Sequence, residues 1–154
     1  MTVTDALDLR ILDVLKTQGR ISNSQLAAKL DVAPSTTHLR VRGLVERGVI
    51  TGFLASIDQE QVGIAIQALV GVTLRPGARH TSINAFSEDA RSLPEVLQLF
   101  FLGGGDDFIV HIGVADTGAL RKFVVDHLSG HPSVASTRTS VVFNYHRNGV
   151  AASF

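Results

Sequence analysis

The stretch that decides the fold is SNSQLAAKLDVAPSTTHLRVRGLVERG, residues 22–48. It opens with a capping box, Ser22 at the cap and Gln25 three positions later, which predicts a short helix. Pro34 is placed for the first turn of a further helix, which we expect to run to the residue before Gly48. Because only three or four residues separate the two helices, they must cross sharply. This spacing predicts a helix-turn-helix.

The flanking sequence extends this motif to a winged helix. Apolar side chains at helical spacing over residues 7–15 predict a preceding helix, which we expect Gly19 to end. Residues 49–57 alternate loosely between apolar and polar, which is typical of a short extended wing. We therefore predict a DNA-binding winged helix-turn-helix domain over residues 1–50 and a wing and linker over residues 51–63.

The second half of the chain has a different texture, and its pattern is βαββαβ. This order predicts a four-stranded antiparallel sheet with both helices on one face, so the fold class is α+β with a ferredoxin-like sandwich over residues 64–143. A glycine-rich turn is expected to join the middle two strands as a hairpin. Residues 144–154 are predicted to be a C-terminal tail. The strands are predicted over 64–74, 96–102, 108–114 and 134–143, and the helices over 81–93 and from Asp116 or Thr117 to 128.

The sheet carries more apolar side chains than one covered face can hold. If the second face were wet, many of them would be exposed, so we expect a partner subunit to cover it. The apolar candidates include Val70, Val72, Leu97, Leu99, Ile109 and Val141.

Composition excludes several classes of protein. Hydrophobic residues make up 45% of the 154 residues and charged residues 18%, which predicts a folded chain. There is no cysteine, so disulfides, thiolate zinc sites and cysteine nucleophiles are excluded. We find neither an apolar run long enough for a bilayer nor a signal-peptide pattern, and we expect a cytoplasmic, nucleoid-associated protein with no membrane partner.

Charge supports DNA binding only weakly. The net charge is zero, with 14 basic and 14 acidic residues. Through residue 57 there are seven Lys and Arg against five Asp and Glu, whereas the remainder has seven against nine. The N-terminal half therefore carries a small basic excess of the sign that DNA binding requires.

At this point the order of the motifs resembles the Lrp/AsnC family, the leucine-responsive or feast/famine regulators, over nearly the whole chain. The matching segments include Gly19-Arg20-Ile21-Ser22, Ala33-Pro34-Ser35-Thr36, Gly48-Val49-Ile50, Asp107-Phe108 and Thr137-Arg138-Thr139-Ser140. The resemblance implies a homodimer that reads a two-fold DNA site and assembles to tetramers or octamers. It also implies an amino-acid or related effector bound near the turn between strands two and three. Many relatives carry a basic residue where this chain has Leu39 and Gly43.

The third helix is the predicted reader of double-stranded DNA. Its N-terminal residues should face base edges, while its flank and the preceding cap should hold phosphates. We expect Val41, Leu44 and Val45 to face the core. Arg40 is the first choice for an energetic DNA contact, although a structural ion pair is the alternative. The candidate DNA-binding residues are Ser22, Asn23, Ser35, Thr36, His38, Arg40, Arg42 and Arg47.

The glycine-rich turn is the predicted effector site. Three glycines expose backbone N–H groups that can seat a carboxylate, and Asp106 or Asp107 can accept hydrogen bonds from an ammonium group. The alternative is a plain hairpin turn whose aspartates stay hydrated. The candidate effector-binding residues are Leu102, Gly103, Gly104, Gly105, Asp106, Asp107, Thr139, Ser140 and Val141.

Other functions are less well supported by the sequence. An enzyme resembling the siroheme decarboxylases, which share a related fold, would need acid–base groups gathered in a cleft, and the histidines here are scattered. A ligand-independent architectural DNA protein is a further alternative. We predict no cofactor. We also predict no metal, because Gly130 and Pro132 interrupt the helix that would have to align His127 with His131, and no carboxylate or third histidine is convincingly placed as a further ligand.

Overall fold

The computed structural model describes residues 4–77 and 79–144, the side chains of residues 79 and 80 excepted. The described residues divide into two compact units, one ending at Ser56 and the other beginning at Ile57. The tail predicted over residues 144–154 lies outside the described residues except for Asn144. Among the described residues, no helix has the length and apolar character needed to cross a bilayer.

Three helices form the N-terminal unit: α1 (Ala6–Thr17), α2 (Asn23–Leu30) and α3 (Pro34–Glu46). The capping box is confirmed, because Ser22 Oγ accepts from Gln25 N–H while Gln25 Oε1 accepts from Ser22 N–H. Gly48 follows α3 with a φ of 71°, a left-handed conformation that glycine adopts without strain. The core of this unit contains Ile11, Leu26, Leu30 and Leu44.

Two boundaries of this unit differ from the prediction. The cap of α1 is Gln18 rather than Gly19, since the Gln18 N–H already bonds the Val14 carbonyl. Residues 49–57 form no strand in the part of the chain that the structure describes. Val49 and Ile50 instead donate their N–H groups to the Leu44 carbonyl, which uses the start of the predicted wing to close α3.

The C-terminal unit is a single four-stranded antiparallel sheet with helices between its strands, and the predicted α+β ferredoxin-like fold is confirmed. The strand order is β2-β3-β1-β4. A short 3₁₀ turn (Glu60–Val62) precedes it. Its elements are β1 (Ile66–Leu74), α4 (Arg79–Ser92), β2 (Val96–Phe101), β3 (Phe108–Val114), α5 (Thr117–Phe123) and β4 (Val134–Val142).

The last helix differs from the prediction in its second half. Asp116 caps α5 as expected, by accepting from the Ala119 N–H. The helix then continues as a π helix over Val124–Ser129 instead of an α-helix to residue 128. The wider turn ends where the Gly130 N–H reaches the Val125 carbonyl, 3.0 Å away.

Alternation along the strands sorts the sheet into a covered and an open face. Val70, Val72 and Val110 lie on the covered face with Phe86 of α4 and Leu128, and all are essentially buried. The apolar side chains that the sequence places on the strands are divided between these two faces. Leu97 and Ile109 lie on the open face, opposite the face that packs against Phe86 and Leu128.

Candidate DNA-binding helix and effector site

A polar clamp fixes the angle between α2 and α3. Asn23 Nδ2 donates to the Pro34 carbonyl at 2.8 Å, and its Oδ1 accepts from Thr37 Oγ1 at 2.8 Å. Thr37 is fully buried, and its Oγ1 also lies 3.0 Å from the Pro34 carbonyl oxygen, a second acceptor for the same hydroxyl proton. Asn23 is a predicted DNA contact, but its amide nitrogen and its amide oxygen both form hydrogen bonds within the domain. Its amide orients the third helix, and Thr37 is a residue that sequence reasoning did not single out.

A buried carboxylate draws two of the predicted DNA-binding arginines inwards. Asp8 is 1% exposed, and its two oxygens lie 2.8 Å from Arg47 Nη2 and 3.4 Å from Arg40 Nη1. Arg40 also pairs with Asp5, and this ion pair and hydrogen bond raise the pKa of the Arg40 guanidinium. The structure therefore places Arg40 in the ion-pair alternative that the sequence left open. These two arginines tie α3 to α1.

The exposed side of α3 is narrower than predicted. Ser35, His38, Leu39 and Arg42 are exposed at helical spacing, and we call these four residues the recognition face. Thr36 is half-buried on its flank, and Ser22 is exposed but occupied as the cap of α2. The expectation that Val45 faces the core is wrong, because its side chain is 47% exposed.

Arg42 is the cation on the recognition face, and it pairs within the helix. Its Nε lies 2.7 Å from Glu46 Oε1, one turn further on, and both side chains are more than half exposed. The hydrogen bond and the charge of Glu46 raise the pKa of the Arg42 guanidinium. Such an exposed pair is weak, so a DNA phosphate can compete for the guanidinium.

At the predicted effector turn, the two aspartates have different environments. Gly103, Gly104 and Gly105 are exposed. Asp107 is only 5% exposed, and its Oδ2 accepts from the Leu74 N–H at 2.8 Å. An effector ammonium requires an accessible carboxylate, so we assign Asp107 a structural part rather than an effector contact.

Asp106 is half-buried, with a side chain that is 16% exposed, and it pairs with an exposed arginine. Its Oδ2 lies 2.6 Å from Arg138 Nη2 of β4, whose side chain is 75% exposed. The carboxylate rests on Gly71 of β1, where an added Cβ would lie 2.6 Å from the same oxygen. Gly71 pairs with Arg138 across the strands, so all three residues meet on the open face. Sequence reasoning missed the parts played by Gly71 and Arg138, because strand register brings them to the turn.

The three predicted residues of β4 do not point the same way. Ser140 pairs with Leu69 and lies on the open face with Arg138. Thr139 and Val141 pair with Val70 and Ala68 and lie on the helix-covered side. One protomer can therefore direct the Ser140 side chain, but not those of Thr139 and Val141, towards the Asp106–Arg138 pair.

A histidine marks the middle of the open face. His111 Nε2 lies 2.9 Å from Gln67 Oε1, and its Nδ1 lies 3.3 Å from Gln98 Oε1. Partial burial lowers the pKa of the His111 imidazole below its usual 6.5. Burial therefore acts in favour of the neutral ring, which can donate to one of the two glutamine oxygens.

We expect His111 to make stability decrease as pH falls. Its pKa is lowered on folding, so the unfolded chain binds more protons below about pH 6.5, and the free energy of unfolding falls with pH through that window. Urea denaturation at pH 7.5, 6.5 and 5.5 should show that the free energy of unfolding falls less with pH for His111→Gln than for the natural chain. His38→Gln, at an exposed position, is the matched control. Its free energy of unfolding should fall with pH as steeply as that of the natural chain. Equal slopes for all three proteins would contradict the prediction.

Comparison with known proteins decides the family. The family profile described as the Lrp/AsnC ligand binding domain matches residues 67–149, and the one described as winged helix-turn-helix DNA-binding matches residues 4–51. This chain belongs to the Lrp/AsnC family. The resemblance predicted from the sequence is confirmed, and the chain is a transcriptional regulator of that family.

Curated relatives agree with this membership. The transcriptional regulator AldR of Mycolicibacterium smegmatis is 47% identical over 143 residues, covering 93% of this chain and 83% of the relative. The leucine-responsive regulatory protein of Haemophilus influenzae is 32% identical over 138 residues, covering 90% and 82%.

Solved structures of this family have the same architecture. A Neisseria meningitidis transcriptional regulator, solved in complex with L-methionine, superposes with a TM-score of 0.89 at 29% identity and covers 97% of both chains. The crystal structure of AldR from Mycobacterium tuberculosis gives a TM-score of 0.75 at 38% identity, covering 96% of both chains.

Proposed function

We propose that residues 1–50 bind double-stranded DNA in a sequence-specific way and that the recognition face of α3 enters the major groove. The observation that carries this proposal is an exposed helix face held rigidly from behind. The Asn23–Thr37 clamp and the Asp8 ion pairs fix α3 against its neighbours while its outer side chains stay exposed. A rigid helix that presents its N-terminal half is the geometry that reads base edges.

Arg42 provides the test of this proposal. Selection from a pool of random duplexes gives the site that the full chain prefers, and fluorescence anisotropy then gives Kd as a function of salt. Arg42→Ala should weaken binding about tenfold or less and reduce the salt slope by about one, the signature of one lost phosphate contact. The matched control is Lys122→Ala on α5, which breaks an equivalent exposed pair with Asp126 of the following π helix and should leave DNA affinity unchanged. Equal behaviour of the two variants would argue against the proposed orientation of α3.

We further propose that the unit over residues 64–143 binds an amino acid or a related metabolite at the turn between β2 and β3. The relative solved with L-methionine supports this class of effector. In this chain, Arg138 and the Gly103–Gly105 N–H groups can hold the carboxylate, and Asp106 can accept from the ammonium. Ligand binding would therefore replace the internal Asp106–Arg138 pair with two pairs to the effector.

Thermal melting with the twenty amino acids tests this site. A ligand present at about 100 times its Kd adds about 2.7 kcal/mol to the folded state and should raise the melting temperature selectively. Arg138→Ala should abolish the shift, whereas Arg121→Ala, at an exposed position on α5, should retain it. Flat curves across the panel would contradict the amino-acid effector.

The open face of the sheet is the proposed homodimer surface. Leu97 and Ile109 lie there with Leu69, which is 38% exposed, around the half-buried His111. A second copy would cover these apolar side chains as well as its own. Tetramers or octamers of such dimers, and a nucleoid-associated cytoplasmic location, belong to the same proposal. The relatives' names favour this regulator over the decarboxylase alternative.

A further inference from the structure

We propose that Leu39 recognises the C5 methyl group of a thymine in each half of the DNA site. This inference rests on the proposed DNA-binding function and deepens it. Leu39 is 67% exposed and lies in the middle of the recognition face, between Ser35 and Arg42. Its neighbour one turn further on, Gly43, has no side chain, and a Cβ added there would meet nothing within 4 Å. The leucine therefore stands clear of its own helix.

The arginines on and beside α3 are assigned to other contacts. Arg40 and Arg47 bond the carboxylates of α1 and its cap, and Arg42, whose exposed pair with Glu46 is weak, is the proposed phosphate contact. The commonest specific contact to a base is a bidentate arginine on guanine, and in the proposed orientation none of these three arginines faces a base edge. Base discrimination on the recognition face therefore falls largely to Ser35, His38 and Leu39.

Among these three residues, Leu39 can make only an apolar contact. In the major groove, the exposed apolar group that differs between base pairs is the thymine methyl. An exposed leucine is unremarkable by itself, but here it occupies the part of the helix that faces the bases in the proposed orientation. Its chemistry thus selects thymine over cytosine at the position it touches.

The experiment removes the methyl group alone. After selection of the preferred duplex by the natural chain, each thymine is replaced in turn by deoxyuridine, which keeps every hydrogen-bonding atom of the base. Kd is then measured for the natural chain and for Leu39→Ala at one fixed salt concentration. Because Leu39 is exposed, Leu39→Ala should keep the natural circular dichroism spectrum and melting temperature.

We expect a single deoxyuridine, placed at the contacted thymine of either half-site, to weaken binding by the natural chain about fourfold, the effect of one buried methyl-sized group. Leu39→Ala should bind the thymine and deoxyuridine duplexes equally. Val45→Ala is the matched control, since it truncates another exposed apolar side chain of α3, and it should retain the fourfold difference.

Two results would overturn the inference while leaving DNA binding intact. One is a natural chain that is insensitive to every deoxyuridine, and the other is a sensitivity that Leu39→Ala keeps unchanged. If the selection enriches no duplex, both the inference and the proposed sequence-specific DNA binding are overturned.

Discussion

Asp8→Ala is expected to lower the free energy of unfolding of the N-terminal unit by about 2 to 3 kcal/mol. The carboxylate is 1% exposed and lies within ion-pair distance of both Arg40 and Arg47. Removing one partner of a buried ion pair costs about 3 to 5 kcal/mol, because the remaining charge is left without compensation. Here both guanidiniums are partly exposed, so water offsets some of that cost.

Hydrogen exchange on the full chain locates this effect. Amides of α1, α2 and α3 should exchange faster in Asp8→Ala, whereas the strands β1 and β3 should keep their protection. The matched control is Asp13→Ala on the same helix, whose carboxylate is 74% exposed and pairs with Lys16. This control should stay within about 0.5 kcal/mol of the natural chain. If Asp8→Ala behaves like Asp13→Ala, the inward ion pairs do not stabilise the unit and Arg40 is available to DNA.

The sequence predicted those parts of the fold that local signals specify. The capping box at Ser22, the proline at the start of α3 and the cap at Asp116 each act within a few residues, and each was placed correctly. Period-two and helical patterns likewise identified four strands and five helices in the right order. Residues 49–57 form no strand, because the first two of them bond the last turn of α3, and no periodicity reports that choice.

The candidate sites depended on contacts between distant residues. Asp8 meets Arg47 from 39 positions away, and Arg138 meets Asp106 from 32 positions away. Residue types alone marked the arginines as DNA ligands and both aspartates of the turn as effector ligands. Only strand register and burial separate Asp106, which is half-buried and pairs with the exposed Arg138, from the buried Asp107.

Asp107→Ala is expected to destabilise the C-terminal unit by about 2 kcal/mol. Its carboxylate accepts a buried hydrogen bond from the Leu74 N–H, next to the register shift between β1 and β4. Alanine would leave that backbone donor buried without its partner, and a hydrogen bond to a charged acceptor contributes more than one between neutral groups. Urea denaturation followed by hydrogen exchange at Leu74 and its neighbours measures this loss.

Two further variants separate structure from effector binding at this turn. Asp107→Asn keeps an acceptor oxygen for the Leu74 N–H and should recover most of the lost stability. Asp106→Ala removes the pair with the exposed Arg138, so it should cost less than about 1 kcal/mol yet abolish the thermal shift produced by an effector. If instead Asp107→Ala kept its stability and lost the effector response, the buried aspartate would be the ligand. The effector contact would then be assigned to Asp107 instead of Asp106, because the ligand response would depend on the buried carboxylate.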